Sequence, residues 1–393
     1  MNYQLARIKR HVEDCLVFPF ILTGQILAWF IKPPVQTSCF LFFPSADLGG
    51  APKVNADITS LLRTKNPLIV FSKKPKNNGF LTLFQLKETY ILDLHQAIDQ
   101  KAWHWLNFIW RGILSAWINK AETPVVIGGE CMYFYKIVPW LKSHVRVVEV
   151  AHLDTWLNYN QAFVPDIDVR ICSTPKLKRT IETQYQQNGV PSSFAQRINF
   201  IDNWVDIPPP SAMPPTTTLQ LLFVGRGAPQ KRVYLIAKIA ETLLRKERPV
   251  HFTFVGDVET QLSDYVKQRS TCYWNISDPA KLNEVYLASH MLLLTSAYEG
   301  LPIVVMDMMV RGRVVLSTAV DGIPDYIHHQ ENGLLIHEVL NETILCDEAV
   351  ACIESVLANP EQLQELGNEA RKQALQQFSK EAFEKAYWNI LFP

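Results

Sequence analysis

LQLLFVGRGAPQKR, residues 219–232, sets an apolar run directly against a turn rich in glycine and cations. A short apolar run ended by glycine reads as a buried strand. Gly225, at the end of that strand, lets backbone approach a ligand. Arg226 and Lys231 lie on the turn and at the entrance of a predicted helix over Lys231–Arg245. There they can meet a diphosphate, reinforced by the helix N-terminus. The spacing fits neither the P-loop pattern nor GxGxxG. A strand, turn and helix of this kind is the repeating unit of a parallel sheet, whose ligands bind outside the carboxyl ends of its strands.

The same grammar extends in both directions. Downstream, His251–Val255, Met291–Thr295 and Val314–Ser317 read as strands, Ile303–Arg311 as a helix, and Asp347 to Leu391 as wholly helical. Upstream, Cys39–Phe43, Leu68–Phe71, Val125–Ile127, Val145–Val150 and Val169–Cys172 read as strands, with a helix over Pro52–Leu62. Between the two series lies PPPSAMPPTTT, Pro208–Thr218. That proline density excludes a helix or a central strand and reads as a linker. The expected architecture is α/β: two doubly wound, Rossmann-like domains facing across a cleft. The expected boundaries are an apolar N-terminal segment over 1–35, a first domain over 36–207, the linker over 208–218, a second domain over 219–375 and a C-terminal helix over 376–393.

Composition narrows the class. The chain has 393 residues, enough for two or three domains at ~150 residues each. A hydrophobic fraction of 48% excludes a disordered protein. Lys+Arg 38 against Asp+Glu 38 gives no net charge, which excludes a broad nucleic-acid footprint. The seven cysteines are odd in number and form no CxxC, so buried free thiols in a reducing compartment are expected.

The N-terminus carries a separate signal. Arg7, Lys9 and Arg10 precede CLVFPFILTGQILAWFI, Cys15–Ile31, which holds no charge, and Lys32-Pro33-Pro34 closes it. Its length is at the lower limit of the ~17–25 residues that span a bilayer, and Pro19, Thr23, Gly24 and Gln25 weaken a spanning reading. The expectation is a helix lying in a membrane face through residues 7–32, separable from the folded domains. The alternative is a hydrophobic helix docked on the protein's own core.

A second motif, EGLPIVVMD (Glu299–Asp307), follows the apolar strand MLLLTS. Pro302 suits a first helical turn, so the amides of Gly300, Leu301 and Ile303 would form a helix N-terminus ready for phosphate. Glu299 and Asp307 could accept from sugar or ribose hydroxyls.

Taken together, the two motifs resemble the retaining GT-B glycosyltransferases of glycosyltransferase family 4, the "group 1" transferases. The family pattern reads VGR…K in the first stretch and S-x-x-EG-x-P-x-x-x-x-E-A-M in the second. The resemblance runs from Leu221 to Ile336, through Gly312, Asp321-Gly322-Ile323-Pro324-Asp325 and Asn332-Gly333. Weaker matches are Gly49-Gly50-Ala51 after the first strand, His152 after VVEVA, and Asn203 and Asp206. The resemblance implies a donor-binding C-terminal domain and an acceptor-side N-terminal domain. It implies that Arg226 and Lys231 bind the donor diphosphate, Glu299 the sugar hydroxyls and Asp307 the ribose. It further implies that Gly50 approaches the donor phosphates or sugar, that Gly300, Leu301, Pro302 and Ile303 line the donor site, and that His152 contacts the sugar and, with Glu299, orders the reacting centre. The sequence departs from the family at Asp307, where Glu is usual, at Val314, where Pro is usual, and at Pro52, where Glu is frequent.

The function so implied is retaining transfer of a sugar from a nucleoside-diphosphate sugar to a glycan acceptor, expected to be lipid-linked, in cell-surface polysaccharide or lipopolysaccharide synthesis. No cofactor or metal is expected, and the expected location is the cytoplasmic face of the inner membrane. Two alternatives stay open: an inactive nucleotide-binding scaffold, favoured only by Asp307, and a sugar-nucleotide epimerase. Asp166-Ile167-Asp168 is a possible metal-binding DxD, but a loop acid is the plainer reading. His328-His329 reads as surface. Trp103, Trp105, Trp110 and Trp117 read as core packing, and Lys176, Lys178 and Arg179 as a solvated helix face.

Overall fold

The computed structural model describes residues 2–100, 104–153, 157–274, 276 and 278–393. The chain divides into two compact units, Met1–Ile201 with Glu384–Pro393, and Asp202–Phe383.

The first unit is built on a parallel sheet of seven strands: β1 (Cys39–Phe43), β2 (Leu68–Phe71), β3 (Tyr90–Asp93), β4 (Val125–Gly128), β5 (Arg146–Ala151), β6 (Val169–Cys172) and β7 (Ile198–Phe200). Their order is β3-β2-β1-β4-β5-β6-β7, so the winding reverses between β1 and β4. CFLFF and LIVF are buried at every position, as expected of strands covered on both faces. Helix Pro175–Asn188 shows how local chemistry sets the ends. Thr174 caps it by accepting from the Leu177 amide, Pro175 opens it, and Gly189 ends it in a left-handed conformation.

The N-terminal helix, Tyr3–Leu27, belongs to this unit. It packs along helix His104–Lys120 at a glycine crossing: a Cβ on Gly24 would stand 2.1 Å from the Ile109 carbonyl oxygen, and one on Gly112 2.1 Å from that of Ile21. Ala6 and Ile21 are buried, and the Trp117 indole N–H donates to the Ile31 carbonyl at 2.9 Å. Arg10 pairs with Asp14 and Asp166, and Lys136 with Glu13. The separable segment expected from residues 1–35 is therefore corrected. One face is docked on the first unit, because an uncharged run with glycine at its centre can approach a neighbouring backbone closely. The opposite face remains exposed. No helix among the described residues is long and apolar enough to cross a membrane.

The second unit carries a parallel sheet of six strands: β8 (Leu219–Val224), β9 (Val250–Val255), β10 (Thr271–Tyr273), β11 (Met291–Leu294), β12 (Val314–Thr318) and β13 (Leu334–Ile336). The order is β10-β9-β8-β11-β12-β13, with the reversal between β8 and β11. The proline-rich stretch falls within this unit, because the unit boundary lies at Ile201–Asp202. It has no regular structure and is tied down by side chains: Arg371 donates to the Pro208 carbonyl at 2.9 Å, and Arg313 to that of Ala212 at 3.1 Å. The helical tail is three helices, Glu342–Ala358, Glu361–Gln377 and Lys380–Leu391, broken where Pro360 and Ser379 intervene.

Candidate functional site

The two motifs follow β8 and β11, the neighbouring strands at which the second sheet reverses. Loops leaving the carboxyl ends of such strands splay apart and open a crevice. The turn after β8 is anchored at its base. The Gly225 amide donates to the Val255 carbonyl at 3.0 Å, and the Gly227 amide to the Asp257 carboxylate at 2.7 Å. A Cβ at Gly227 would lie 2.2 Å from the Asp257 carbonyl, so this close approach requires glycine.

Beyond the turn the chain makes a single 3-10 turn, Pro229–Lys231, and only then the helix Val233–Arg245. The expected helix start at Lys231 is thus corrected: Arg232 takes a left-handed conformation, φ 45° and ψ 45°, and interrupts it. Lys231 is held instead at the end of the tight turn. Its ammonium meets the Glu299 carboxylate, Nζ to Oε1 at 2.5 Å, and both side chains are largely buried, at 14% and 7% exposure. Arg226 is exposed on the turn and forms no ion pair among the described residues.

The loop after β11 is stitched to that turn. The Ala297 amide donates to the Gln230 carbonyl at 2.8 Å, and the Gln230 side-chain amide to the Tyr298 carbonyl at 2.7 Å. Thr295 Oγ1 donates to the Lys231 and Arg232 carbonyls at 3.2 and 3.0 Å. Asp321, itself left-handed at φ 41°, accepts the Glu299 amide at 2.9 Å. The buried Ser296 hydroxyl has no hydrogen-bond partner among the described residues.

The helix in this motif runs over Ile303–Val310, with Pro302 at its cap position. Gly300 and Leu301 therefore precede the helix. The expected helix N-terminus over Gly300–Ile303 is corrected in its local structure: only Ile303 lies within the helix, and Pro302, with an extended ψ of 134°, takes the cap position. Asp307 sits further along, its carboxylate 2.8 Å from Arg311 Nη1. Burial, with the nearby Asp307 charge, raises the Tyr286 hydroxyl well above the usual tyrosine range. The structure thus joins Lys231 directly to Glu299 and engages Asp307 with Arg311.

In the first unit, Gly50 is the first residue of helix Gly50–Leu61, which follows β1. His152 follows β5. Its amide donates to Glu130 Oε1 at 2.9 Å, and Glu130 is left-handed at φ 49°. The ring Nε2 is buried without a hydrogen-bond partner among the described residues, and burial lowers the imidazole pKa, which favours the neutral ring. Asp166 and Asp168 are each engaged within the first unit. The first is bound by Arg10, and the second accepts the Val147 amide at 2.8 Å. Among the described residues no cluster of His, Cys, Asp and Glu offers a metal ligand set. Of the tryptophans, Trp117 is buried and Trp105 exposed, while Trp103 lies outside the described residues.

Sequence reading passed over Arg232, Gln230, Thr295, Asp321 and Glu130. Gln230, Arg232, Thr295 and Asp321 lie inside the quoted stretches without an assigned role, and Glu130 lies outside them. Their roles arise from left-handed backbone and loop-to-loop bonds that spacing does not reveal.

Residues 210–373 match the family described as "Glycosyl transferases group 1". An alpha-maltose-1-phosphate synthase of Mycolicibacterium smegmatis is 26% identical over 167 residues, covering 40% of this chain and 43% of that protein. A D-inositol 3-phosphate glycosyltransferase of Gordonia bronchialis is 30% identical over 174 residues, covering 40% and 36%. The chain thus matches less than half the length of these relatives. Among solved structures, the lipopolysaccharide outer core galactosyltransferase WaaB superposes with a TM-score of 0.67 at 20% identity, covering 90% of this chain and 98% of that one. Anabaena HepE in complex with UDP-glucose superposes at 0.66 with 15% identity, covering 90% and 98%.

Proposed function

Since residues 210–373 belong to the glycosyl transferases group 1 family and the chain has the GT-B fold, we propose that the protein is a retaining glycosyltransferase using a nucleoside-diphosphate sugar and a glycan acceptor. The observation that carries this reading is the buried Lys231–Glu299 pair at the switch point of the second sheet, beside the exposed cation Arg226, which forms no ion pair among the described residues. Glycosyl transfer develops positive charge on the anomeric carbon and negative charge on the departing diphosphate. Arg226 and Lys231 meet the diphosphate, and Glu299 releases its hold on Lys231 to accept sugar hydroxyls. Preorganised charges of this kind lower the barrier without reorganising during the reaction. Asp307 is the candidate for the ribose hydroxyls, in exchange for part of its bond to Arg311. His152, neutral and with a buried nitrogen unsatisfied among the described residues, is the candidate sugar contact in the first unit. Acceptor-dependent release of UDP from a UDP-sugar tests the reading, with Glu299→Gln as the control that should fail. The uridine nucleotide is chosen because HepE was solved with UDP-glucose.

The acceptor is proposed to be lipid-linked, and the protein to work on an anionic membrane face, cytoplasmic in keeping with its seven free cysteines. The N-terminal helix supports this. Its outer face exposes Leu5, Ile8, Val12, Leu16, Leu22 and Ile26, and Trp29 and Phe30 beyond it are 71% and 79% exposed. Its acids, Glu13 and Asp14, are bound by Lys136 and Arg10, whereas Arg7, Lys9 and Lys32 form no ion pair among the described residues. A helix docked on one side and apolar on the other lies flat in a leaflet, its cations on the headgroups. Co-sedimentation with vesicles of phosphatidylserine and phosphatidylcholine should fall sharply in a Trp29→Asp, Phe30→Asp variant. Unchanged sedimentation would reject this face as the contact.

A further inference from the structure

Arg232 closes the first motif without a role assigned to it there, and its geometry is unusual twice over. Its backbone is left-handed, a region that L side chains other than Asn and Asp seldom occupy. Its guanidinium bonds no carboxylate among the described residues but donates to three carbonyls: Nε to Thr295 at 2.7 Å, Nη2 to Ser296 at 3.0 Å and Nη1 to Val339 at 2.7 Å. Thr295 and Ser296 open the loop that leads to Glu299. Val339 lies between β13 and helix Glu342–Ala358. In return the Arg232 carbonyl accepts from Thr295 Oγ1.

We propose that Arg232 is a positioning residue for the donor diphosphate. The left-handed turn ends the Pro229–Lys231 segment, so that Lys231 is aimed at Glu299 while the next side chain goes to the loop carbonyls. The planar fork then locks the loop after β11 to the turn after β8, which fixes the separation of Lys231 and Glu299 from behind. Only a guanidinium supplies three donors in that fixed plane. Its charge is not cancelled by an acid, so the positive potential behind Lys231 is retained for the diphosphate. This inference rests on the reading of the second unit as donor-binding.

The test uses full-length protein. Arg232→Gly keeps the left-handed turn accessible and removes the fork, and Arg232→Lys keeps the charge without the fork. Arg232→Gly is expected to lower kcat with UDP-sugar by about tenfold or more, since small misplacement at a reacting centre is costly. Arg232→Lys should recover no more than about threefold of that loss, because geometry and not charge alone is required. Added to Lys231→Ala, Arg232→Gly should cost less than about threefold further, as both act through one amine. Turnover by Arg232→Gly within about twofold of the parent, or full multiplication of the two losses, would overturn the proposal. Hydrogen exchange separates this from failure of the donor-binding reading. Even if the parent protein releases no UDP, the Ala297 and Glu299 amides should exchange about tenfold faster in Arg232→Gly. Unchanged exchange there would overturn the positioning role on its own.

Discussion

Removing Lys231 should damage stability and turnover for different reasons, and a second substitution should separate them. Lys231→Ala leaves the Glu299 carboxylate in a site where only 7% of its side chain is exposed, with its ammonium partner gone. Breaking a buried pair from one side costs about 3–5 kcal/mol. The 14% exposure of Lys231 admits some water, so the lower figure is the better expectation. For a unit of this size, about 3 kcal/mol corresponds to a fall of about 6–12 °C in the melting temperature of the second unit. Glu299→Gln combined with Lys231→Ala removes the stranded charge and should return most of that loss. Turnover should not return. Lys231→Ala should reduce it about 10²–10³-fold, as for loss of one preorganised charge stabiliser, and the double variant should be at least as slow. The assay is a thermal melt beside UDP release at saturating donor. Stability losses that simply add in the double variant would refute the coupling, and near-normal turnover in Lys231→Ala would refute the catalytic assignment.

Other outcomes follow from the same geometry. Gly24→Val places atoms where the Ile109 carbonyl already stands, and should destabilise the first unit by about 1–3 kcal/mol or more while sparing the second; differential scanning calorimetry resolves the two. Deleting residues 1–34 should likewise unfold the first unit, because it uncovers the helix His104–Lys120, and circular dichroism would expose a truncated protein that folds normally. Burial raises the Asp202 carboxyl to about 6, beside the Tyr326 hydroxyl at 2.5 Å. The folded state therefore holds that proton more tightly than the unfolded chain, so this contribution is complete below about pH 4 and is lost as pH rises through about 6. Asp202→Asn should flatten that part of the stability profile, and an unchanged profile would reassign it. Turnover is expected to survive EDTA, and loss restored by manganese would reopen the roles of Asp166 and Asp168.

Much of the fold was readable because buried parallel strands announce themselves as short apolar runs. CFLFF, LIVF and VRIC lie where their composition puts them, and β8 ends at the glycine that stops it. The N-terminal segment was harder. An uncharged run has the same composition whether it faces lipid or protein, and the Gly24–Gly112 crossing, which shows that this one faces protein on one side, is not visible in a local window. The proline stretch was recognised as irregular, yet its attachment to the second unit depends on Arg313 and Arg371, distant residues that no local window includes. At the site, Lys231 and Glu299 come from separate motifs, and only the folded chain brings them into contact. The 3-10 turn before the helix and the cap at Pro302 were missed because both depend on backbone angles at a single residue.

Sugar transfer from a nucleotide to an acceptor is tested by following the donor itself. Full-length protein would be incubated with labelled UDP-glucose, UDP-galactose or UDP-N-acetylglucosamine, with and without lipid-linked oligosaccharide, and the products resolved. The expected result is UDP release that depends on acceptor, a labelled glycan with the anomeric configuration of the donor, and loss of both in Glu299→Gln. Nucleotide binding with no acceptor-dependent release, or conversion to a different sugar nucleotide without acceptor, would contradict it.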